Sequence, residues 1–175
     1  MRRKKKTVKE KNIEFLLKVI SVALIFGIII SAIFSELSLL SNDNYERMYV
    51  NDVILNNDSA IVLLNSQCYR FSFYVSRSQG EAIAIALTGE STPRPLTHDI
   101  FVESLQRFWI EPRMVRITKI RDGTYYGELV LQHIVFRTVT TIDVRPSDGI
   151  AIVLRSNAPI YVNKALAENL CGDRF

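Results

Sequence analysis

The chain has 175 residues, and 22 Lys/Arg against 18 Asp/Glu give it a formal net charge of +4. The charge is uneven: residues 1–18 carry eight Lys/Arg and two acids, so the remainder carries 14 basic and 16 acidic side chains. A domain with this balance has no general attraction for phosphate backbones. The composition therefore excludes binding of nucleic acid through overall positive charge and leaves only a local basic patch.

An apolar segment follows the basic residues. Phe15–Phe34 is about 20 residues long, which is enough to cross a hydrocarbon core as a helix. A cleaved signal peptide is the alternative, but the segment is longer than a typical signal core and residues 31–35 form a poor cleavage site. We therefore predict a basic cytoplasmic tail (1–14) and a transmembrane helix (15–35).

The distribution of basic residues around this segment predicts its orientation. A dense basic cluster precedes it, and the next Lys or Arg is Arg47. The positive-inside rule then predicts a single-pass protein of the cell membrane, with the N-terminus in the cytoplasm and the domain outside. Cys68 and Cys171 would be free to pair there, but the alternative is one core cysteine and one loose cysteine. The sequence leaves that choice open.

A short polar linker over residues 36–47 leads to a domain over residues 48–175, which we predict to contain an internal duplication. Glu81–Leu87 matches Asp148–Leu154 at a shift of 67 positions, and the same ungapped shift aligns many apolar positions before it. A repeat of this length indicates a supersecondary unit that is used twice.

Each unit is predicted as three strands followed by a helix. Period-two patterns and turn residues predict strands over Met48–Leu55, Ala60–Asn65, Tyr69–Val75, Met114–Arg121, Thr124–Gln132 and Ile134–Asp143. Asp122-Gly123 is a strong hairpin signal between two of them. One helix is predicted from a capping box at Ser78 and Glu81 to Gly89, and its counterpart begins at Pro146. A further helix is predicted over His98–Phe108. The fold class is α+β, an antiparallel sheet with packed helices, preceded by one transmembrane helix.

Two segments carry a family resemblance. The first runs from Glu81 through Leu87 and continues as Pro93-Arg94-Pro95-Leu96-Thr97-His98-Asp99. The second is Ile142-Asp143-Val144-Arg145-Pro146-Ser147-Asp148-Gly149-Ile150-Ala151, followed by Pro159–Val162. Together they resemble the bifunctional nuclease domain, a family of small α+β proteins to which DNase and RNase activities are assigned. The sequence departs from the family pattern at Gly149, where alanine is common, and in its predicted membrane span.

The resemblance implies hydrolysis of phosphodiester bonds, which requires an activated water and stabilisation of phosphoryl charge. The chain has no P-loop, zinc-type Cys/His spacing or H-E-x-x-H motif. His98 and Asp99 are candidates for a base and its partner, and Arg94 for a phosphate clamp. The structural alternative is that Thr97 caps the helix, Asp99 favours its positive end and Arg94 pairs with a carboxylate.

Asp143, Arg145 and Asp148 form the second candidate cluster. Asp143 and Arg145 are expected on one face of an extended segment, where a buried ion pair between them is the structural alternative to catalysis. Asp148 and the equivalent Glu81 are candidate ligands for a divalent metal ion (Mg or Mn) if they face each other across one cleft. Otherwise each is an ordinary acid of a first helical turn.

The sequence therefore supports two functions. The first is a membrane-anchored nuclease that acts on DNA or RNA. The second is a non-catalytic, membrane-tethered module for binding or assembly, which includes a homo-oligomer. Trp109, Tyr125 and Tyr126 could stack on bases, but aromatic residues in strands more often pack, and we assign them to packing. An exposed apolar sheet edge would favour the module.

Overall fold

The structure is a computed structural model that describes residues 16–30 and 44–172. The chain divides into two compact units, Met1–Asn42 and Asp43–Phe175. In the first unit, residues 16–30 form a helix. No helix among the described residues is long and apolar enough to cross a membrane, so the predicted transmembrane helix is not confirmed. The predicted tail (1–14), both ends of that predicted helix and residues 36–43 of the predicted linker lie outside the described residues.

The second unit consists of eight strands and three α-helices within its described residues. In chain order the elements are β1 (Tyr45–Leu55), β2 (Ser59–Asn65), β3 (Tyr69–Ser76), α1 (Arg77–Thr88), α2 (Thr97–Arg107), β4 (Ile110–Arg121), β5 (Thr124–His133), β6 (Val139–Val144), α3 (Pro146–Arg155), β7 (Ile160–Asn163), a 3-10 helix (Lys164–Leu166) and β8 (Glu168–Asn169). The α+β class predicted from the sequence is thus confirmed.

The strands form one mixed sheet in the order β6-β5-β4-β7-β1-β2-β3-β8. β7 runs parallel to β4 and antiparallel to β1, while the other neighbours are antiparallel. The prediction of a purely antiparallel sheet was therefore wrong. The reason is β7, a strand of four residues that is too short to predict from pattern. The chain reaches β7 through helix α3 and not through a hairpin, so β7 can run parallel to β4.

The order of elements repeats on either side of β7. β1, β2, β3 and α1 correspond to β4, β5, β6 and α3. Met48 and Val115, which are 67 positions apart, both lie opposite Ile160 of the central strand. The strand registers do not repeat: Val50 pairs with Leu64, whereas Ile117 pairs with Gly127. The sequence repeat thus predicts the order of elements but not their hydrogen-bond register.

The sheet is strongly curled around its core. The rings of Phe71 and Phe73 on β3 lie 5.4 and 5.9 Å from the ring of Tyr125 on β5. Five strand spacings separate β3 from β5, which would be roughly 24 Å in a flat sheet. The sheet must therefore curve until its two halves meet, and the predicted packing role of Tyr125 is confirmed.

Helices α1 and α3 approach the concave face of this sheet closely because each has a glycine at the contact. A Cβ on Gly80 would lie 2.3 Å from Ala60 Cβ, and one on Gly149 would lie 2.5 Å from Val115 Cγ2. Both neighbours are buried. A side chain at Gly149 would therefore collide with Val115 unless the Val115 side chain shifts.

Several local predictions can be compared directly with the structure. The C-cap at Gly89 (φ 67°) and the Asp122-Gly123 turn (φ 50° and 75°) are confirmed. The capping box lies two residues earlier than predicted, because Ser76 and Gln79 exchange the two bonds. β6 begins at Val139, five residues later than predicted.

The two cysteines form a disulfide bond, which the sequence had left open. Cys68 directly precedes β3 and Cys171 follows β8, and their Cα atoms are 5.1 Å apart. The Leu170 amide also donates to the Cys68 carbonyl oxygen at 2.8 Å. The bond therefore attaches the C-terminal end of the domain to the edge of the sheet.

Candidate active site

The first part of the site is the beginning of α2. The helix starts at Thr97, and its first turn is closed by Asp99, whose Oδ2 accepts a hydrogen bond of 2.7 Å from the Leu96 amide. Thr97 makes no capping bond, so the expectation that it caps this helix was wrong. The capping bond fixes Asp99 and, with it, the direction of the adjacent His98.

The second part is the turn from β6 into α3. β6 ends at Val144, Arg145 is the N-cap residue, and Pro146 begins the helix. Arg145 donates to Asp148 through two nitrogens, with Nε 2.6 Å from Oδ2 and Nη2 3.1 Å from Oδ1. This hydrogen bond and the carboxylate charge raise the pKa of Arg145 above its ordinary value, so its guanidinium stays cationic.

The two helix starts meet at a histidine–carboxylate contact. His98 Nε2 lies 3.4 Å from Asp148 Oδ1, and their side chains are 20% and 26% exposed. The Arg145 side chain beside them is 69% exposed. A half-buried imidazole that is oriented by a carboxylate, next to a solvent-accessible guanidinium, can transfer protons beside a bound anion. We refer to His98, Arg145 and Asp148 as the His–Asp–Arg cluster.

A second ion pair holds the two helices together under this cluster. Arg155 Nε donates to Asp99 Oδ1, and its Nη1 donates to the carbonyl oxygens of Ala82 (3.1 Å) and Ala151 (2.9 Å). The Arg155 side chain is only 8% exposed. Burial raises the pKa of Asp99, but the hydrogen bonds from Arg155 and the Leu96 amide outweigh burial and hold it below its ordinary value.

The sequence analysis missed Arg155. A signal was available: Arg155 lies seven residues after Asp148, so the two residues share one face of α3. His98 of α2 therefore contacts Asp148 near the beginning of α3, and the next residue, Asp99, contacts Arg155 at the end of α3.

Three of the predicted site residues lie outside this arrangement: Asp143, Arg94 and Glu81. Asp143 is exposed on β6, where its Cα pairs with that of Glu128, and Arg145 pairs with Asp148 instead of with Asp143. The buried Asp143–Arg145 pair considered as an alternative was therefore wrong. Arg94 is exposed in the segment between α1 and α2. The Thr92 hydroxyl donates a hydrogen bond of 2.7 Å to the Arg94 carbonyl oxygen.

Glu81 and Asp148, the two predicted metal ligands, bind different basic groups. Glu81 Oε1 accepts from Arg77 Nε at 2.8 Å within α1, while Asp148 binds His98 and Arg145. Across residues 16–30 and 44–172, no three His, Cys, Asp or Glu side chains converge as a metal site would require. Both acids therefore pair with basic groups in this structure, and a metal site at Glu81 and Asp148 stays a prediction from the sequence.

Two other features lie away from the cluster. Trp109 is 61% exposed, so its assignment to packing was wrong, whereas the Tyr126 ring lies under Lys119 with Nζ 5.1 Å from its centroid.

A cavity of about 230 Å³ lies between β1 and the ends of α1 and α3. It is lined by Arg47, Tyr49, Asn157 and apolar residues, and no member of the His–Asp–Arg cluster reaches it.

Comparison with known proteins finds one matching family and several relatives of this chain. Residues 61–171 match the Bifunctional nuclease domain. An uncharacterized protein of Mycobacterium tuberculosis is 36% identical over 93 residues, 53% of this chain and 54% of that protein. Bifunctional nuclease 1 of Oryza sativa subsp. japonica is 36% identical over 85 residues (48% and 26%), and Bifunctional nuclease 1 of Arabidopsis thaliana is 35% identical over 83 residues (47% and 26%). The matched part is thus about half of the mycobacterial relative and a quarter of each plant relative.

Proposed function

The chain belongs to the bifunctional nuclease domain family, and we propose that it is a nuclease that hydrolyses phosphodiester bonds in DNA, RNA or both. The observation that carries this proposal is the His–Asp–Arg cluster. All three of its residues lie in the two sequence segments that resemble the family, and two different helices bring them together.

His98 is the proposed proton-transfer group. An imidazole can take a proton from an attacking water and return one to the leaving oxygen. Asp148 lies 3.4 Å from Nε2, so it favours the tautomer with the proton on that nitrogen and leaves Nδ1 to accept one. The Asp99–Arg155 pair supports His98 indirectly, because it fixes the first turn of α2 against α3.

Arg145 is the proposed phosphate-binding group. Its Nε and Nη2 donate to Asp148, which leaves Nη1 to donate to a phosphoryl oxygen. Arg94 is exposed before the same helix that carries His98, and it supplies a second positive charge. A domain of slightly negative net charge requires local positive charge for binding nucleic acid, and the exposed guanidinium of Arg145 is the proposed source of it.

A dependence on Mg²⁺ or Mn²⁺ remains a prediction from the sequence. The proposed reaction uses His98 and Arg145, and none of its steps requires a metal ion. Activity that survives a chelator would fit these residues alone, whereas activity that returns only with added Mg²⁺ or Mn²⁺ would add a metal to the site.

The test is cleavage of single- and double-stranded DNA and RNA by the purified full-length chain. We expect His98→Ala to reduce the rate about 100-fold or more, because general acid–base catalysis contributes on this scale. The matched control changes the other histidine, His133→Asn, which keeps an acceptor for the two turn amides that His133 Nδ1 binds. Equal rates for wild type and folded His98→Ala would refute the proposed site.

We also propose that the domain acts outside the cytoplasm at the cell membrane. The basic tail and apolar segment support this location, as does the Cys68–Cys171 bond, since structural disulfides persist in oxidising compartments. Thiol labelling of intact cells with a membrane-impermeant reagent, after reduction, should reach both cysteines. Labelling only after cell lysis would contradict the location.

The assembly module stays as the second candidate function. The observation that favours it is an exposed apolar sheet edge at β6, where Val139 and Ile142 are among the exposed large side chains. A chain with no cleavage activity in any assay above, but with a defined oligomeric state, would support this function over the nuclease.

A further inference from the structure

The two edges of the sheet differ in how they are protected. At one end of the sheet, β8 is two residues long, pairs only with Tyr69 and Arg70 of β3, and adjoins the disulfide. The β6 edge has six residues (Val139–Val144), four of them β-branched with exposed side chains, and it contains neither proline nor lysine. Edge strands of folded proteins are normally shortened, charged or covered, because their free backbone groups pair with other strands. β6 therefore has the properties of an edge that another strand covers.

The backbone groups available for pairing can be identified from the register. The His133 amide donates to the Thr138 carbonyl oxygen, and the β5–β6 pairing continues from there without a bulge. Bonded and non-bonded pairs alternate in an antiparallel ladder. Val139, Thr141 and Asp143 therefore direct their N–H and C=O groups away from β5, toward solvent.

An exposed apolar surface adjoins the beginning of β6. Phe108, Trp109, Val135 and Phe136 are 61–72% exposed. The Ile134 amide donates to the Trp109 carbonyl oxygen at 2.7 Å, which places the Phe108–Trp109 segment beside the turn that precedes β6. We call these four residues the aromatic patch. Contiguous exposed apolar side chains of this kind mark interaction surfaces in soluble domains.

The charges at the two ends of the strand indicate what covers it. Arg137 precedes β6 and Asp143 lies near its end, and both are exposed. In an antiparallel pairing of two identical strands, each Arg137 would lie near the Asp143 of the other copy. This opposite-charge contact occurs twice and favours a second copy of this chain over an unrelated strand.

We propose that β6 pairs antiparallel with β6 of a second copy around an axis near Thr140 or Thr141. This pairing joins two eight-stranded sheets into one and covers part of the aromatic patch. It also brings residues 134–137 of each copy beside residues 143–147 of the other. The turn that precedes β6 in the second copy then lies beside Arg145 of the proposed active site. Dimer formation itself does not depend on the proposed nuclease activity.

Cysteine crosslinking of the full-length chain tests the position of the axis. Both native cysteines are in the disulfide, so one introduced cysteine is the only free thiol. We expect Thr140→Cys or Thr141→Cys, whichever lies on the axis, to give at least tenfold more crosslinked dimer under mild oxidation than Ser72→Cys. Ser72 is an exposed control position on β3, near the opposite end of the sheet from β6. Equal crosslinking at all three positions would overturn the proposal.

Thr141→Pro tests the backbone pairing separately. Proline at this position removes an outward N–H but none of the bonds to β5, which is the arrangement that edge strands tolerate. We expect light scattering to give a dimer mass for wild type and a monomer mass for Thr141→Pro, with unchanged circular dichroism. If Thr141→Pro is misfolded, the crosslinking result decides. A monomeric wild type at every concentration would overturn the proposal.

Trp109 provides a third readout because it is the only tryptophan in the chain. We expect its emission to shift to longer wavelength as the dimer is diluted and the aromatic patch becomes exposed. A fluorescence change on addition of a single-stranded oligonucleotide, with none on dilution, would instead identify the patch as a base-stacking surface and overturn the dimer.

Discussion

The two strand-to-helix corners of the domain occupy equivalent places and have different chemistry. Glu81 in α1 and Asp148 in α3 are 67 positions apart, and Asp148 lies in the first turn of α3 whereas Glu81 lies in the second turn of α1. Glu81 pairs within its own helix, with Arg77. Asp148 pairs with Arg145 and also with His98 from another helix.

The difference results from a third element and not from the corners themselves. α2 packs against α3, and its first turn brings His98 to Asp148 and Asp99 to Arg155. Glu81 has no such contact in the described structure. A duplicated unit thus supplies equivalent acids, but only the copy that α2 covers gains a partner capable of proton transfer. Substitutions at the two corners should therefore have unequal effects.

Replacing the two equivalent acids should have unequal effects on cleavage. Asp148→Asn removes the charge that orients His98, and we expect the cleavage rate to fall about 100-fold or more. Glu81→Gln breaks only an exposed pair, so its rate should stay within about twofold of wild type. Both variants are measured in the same assay after circular dichroism. Similar losses in both would mean that the corners share one site.

Removing one arginine from α1 and one from α3 should separate exposed from buried ion pairs. Arg155→Met leaves the Asp99 carboxylate and two helix carbonyl oxygens without their donor, and we expect a loss of about 3 kcal/mol in the free energy of unfolding. Arg77→Met should cost less than about 1 kcal/mol, because its pair with Glu81 is solvent-exposed. Urea denaturation measures both. Equal losses would show that burial of Arg155 contributes nothing.

Ser76 and Ser78 should differ by a smaller amount in their contribution to stability, because only Ser76 caps α1. Ser76 accepts from the Gln79 amide, and Gln79 in turn accepts from the Ser76 amide. Ser76→Ala should therefore destabilise the domain by about 1 kcal/mol. Ser78→Ala, at the position that the sequence suggested as the cap, should have an effect near zero. A larger loss for Ser78→Ala in thermal unfolding would contradict the observed cap.

The smallest effect is the pH dependence that Asp99 contributes. Its pKa is lowered in the folded state, so its stabilising contribution is complete above the unfolded value, about 3.9, and is lost as the pH falls through the folded value. The stability difference between wild type and Asp99→Asn should thus be constant above about pH 5 and shrink below pH 4. Urea unfolding across this range measures it. A difference that is unchanged at pH 3 would contradict the lowered pKa.

Local sequence signals determined much of this protein. Gly89 and Asp122-Gly123 marked a helix end and a hairpin, since left-handed backbone favours these residues at any point in a fold. Apolar periodicity and the 67-residue repeat predicted the α+β class and the order of its elements. The motifs placed His98, Arg145 and Asp148 among the candidate site residues before any contact between them was known.

Tertiary structure alone decided which candidates meet. The curl of the sheet, the direction of the four-residue β7 and the contact of α2 with α3 arise between segments far apart in the chain, and no local pattern encodes them. For the same reason Asp148 binds His98, fifty residues away, while Asp143 lies on an open edge and Cys68 meets Cys171. Propensities and capping act over a few residues, whereas packing selects among partners that the whole fold brings together.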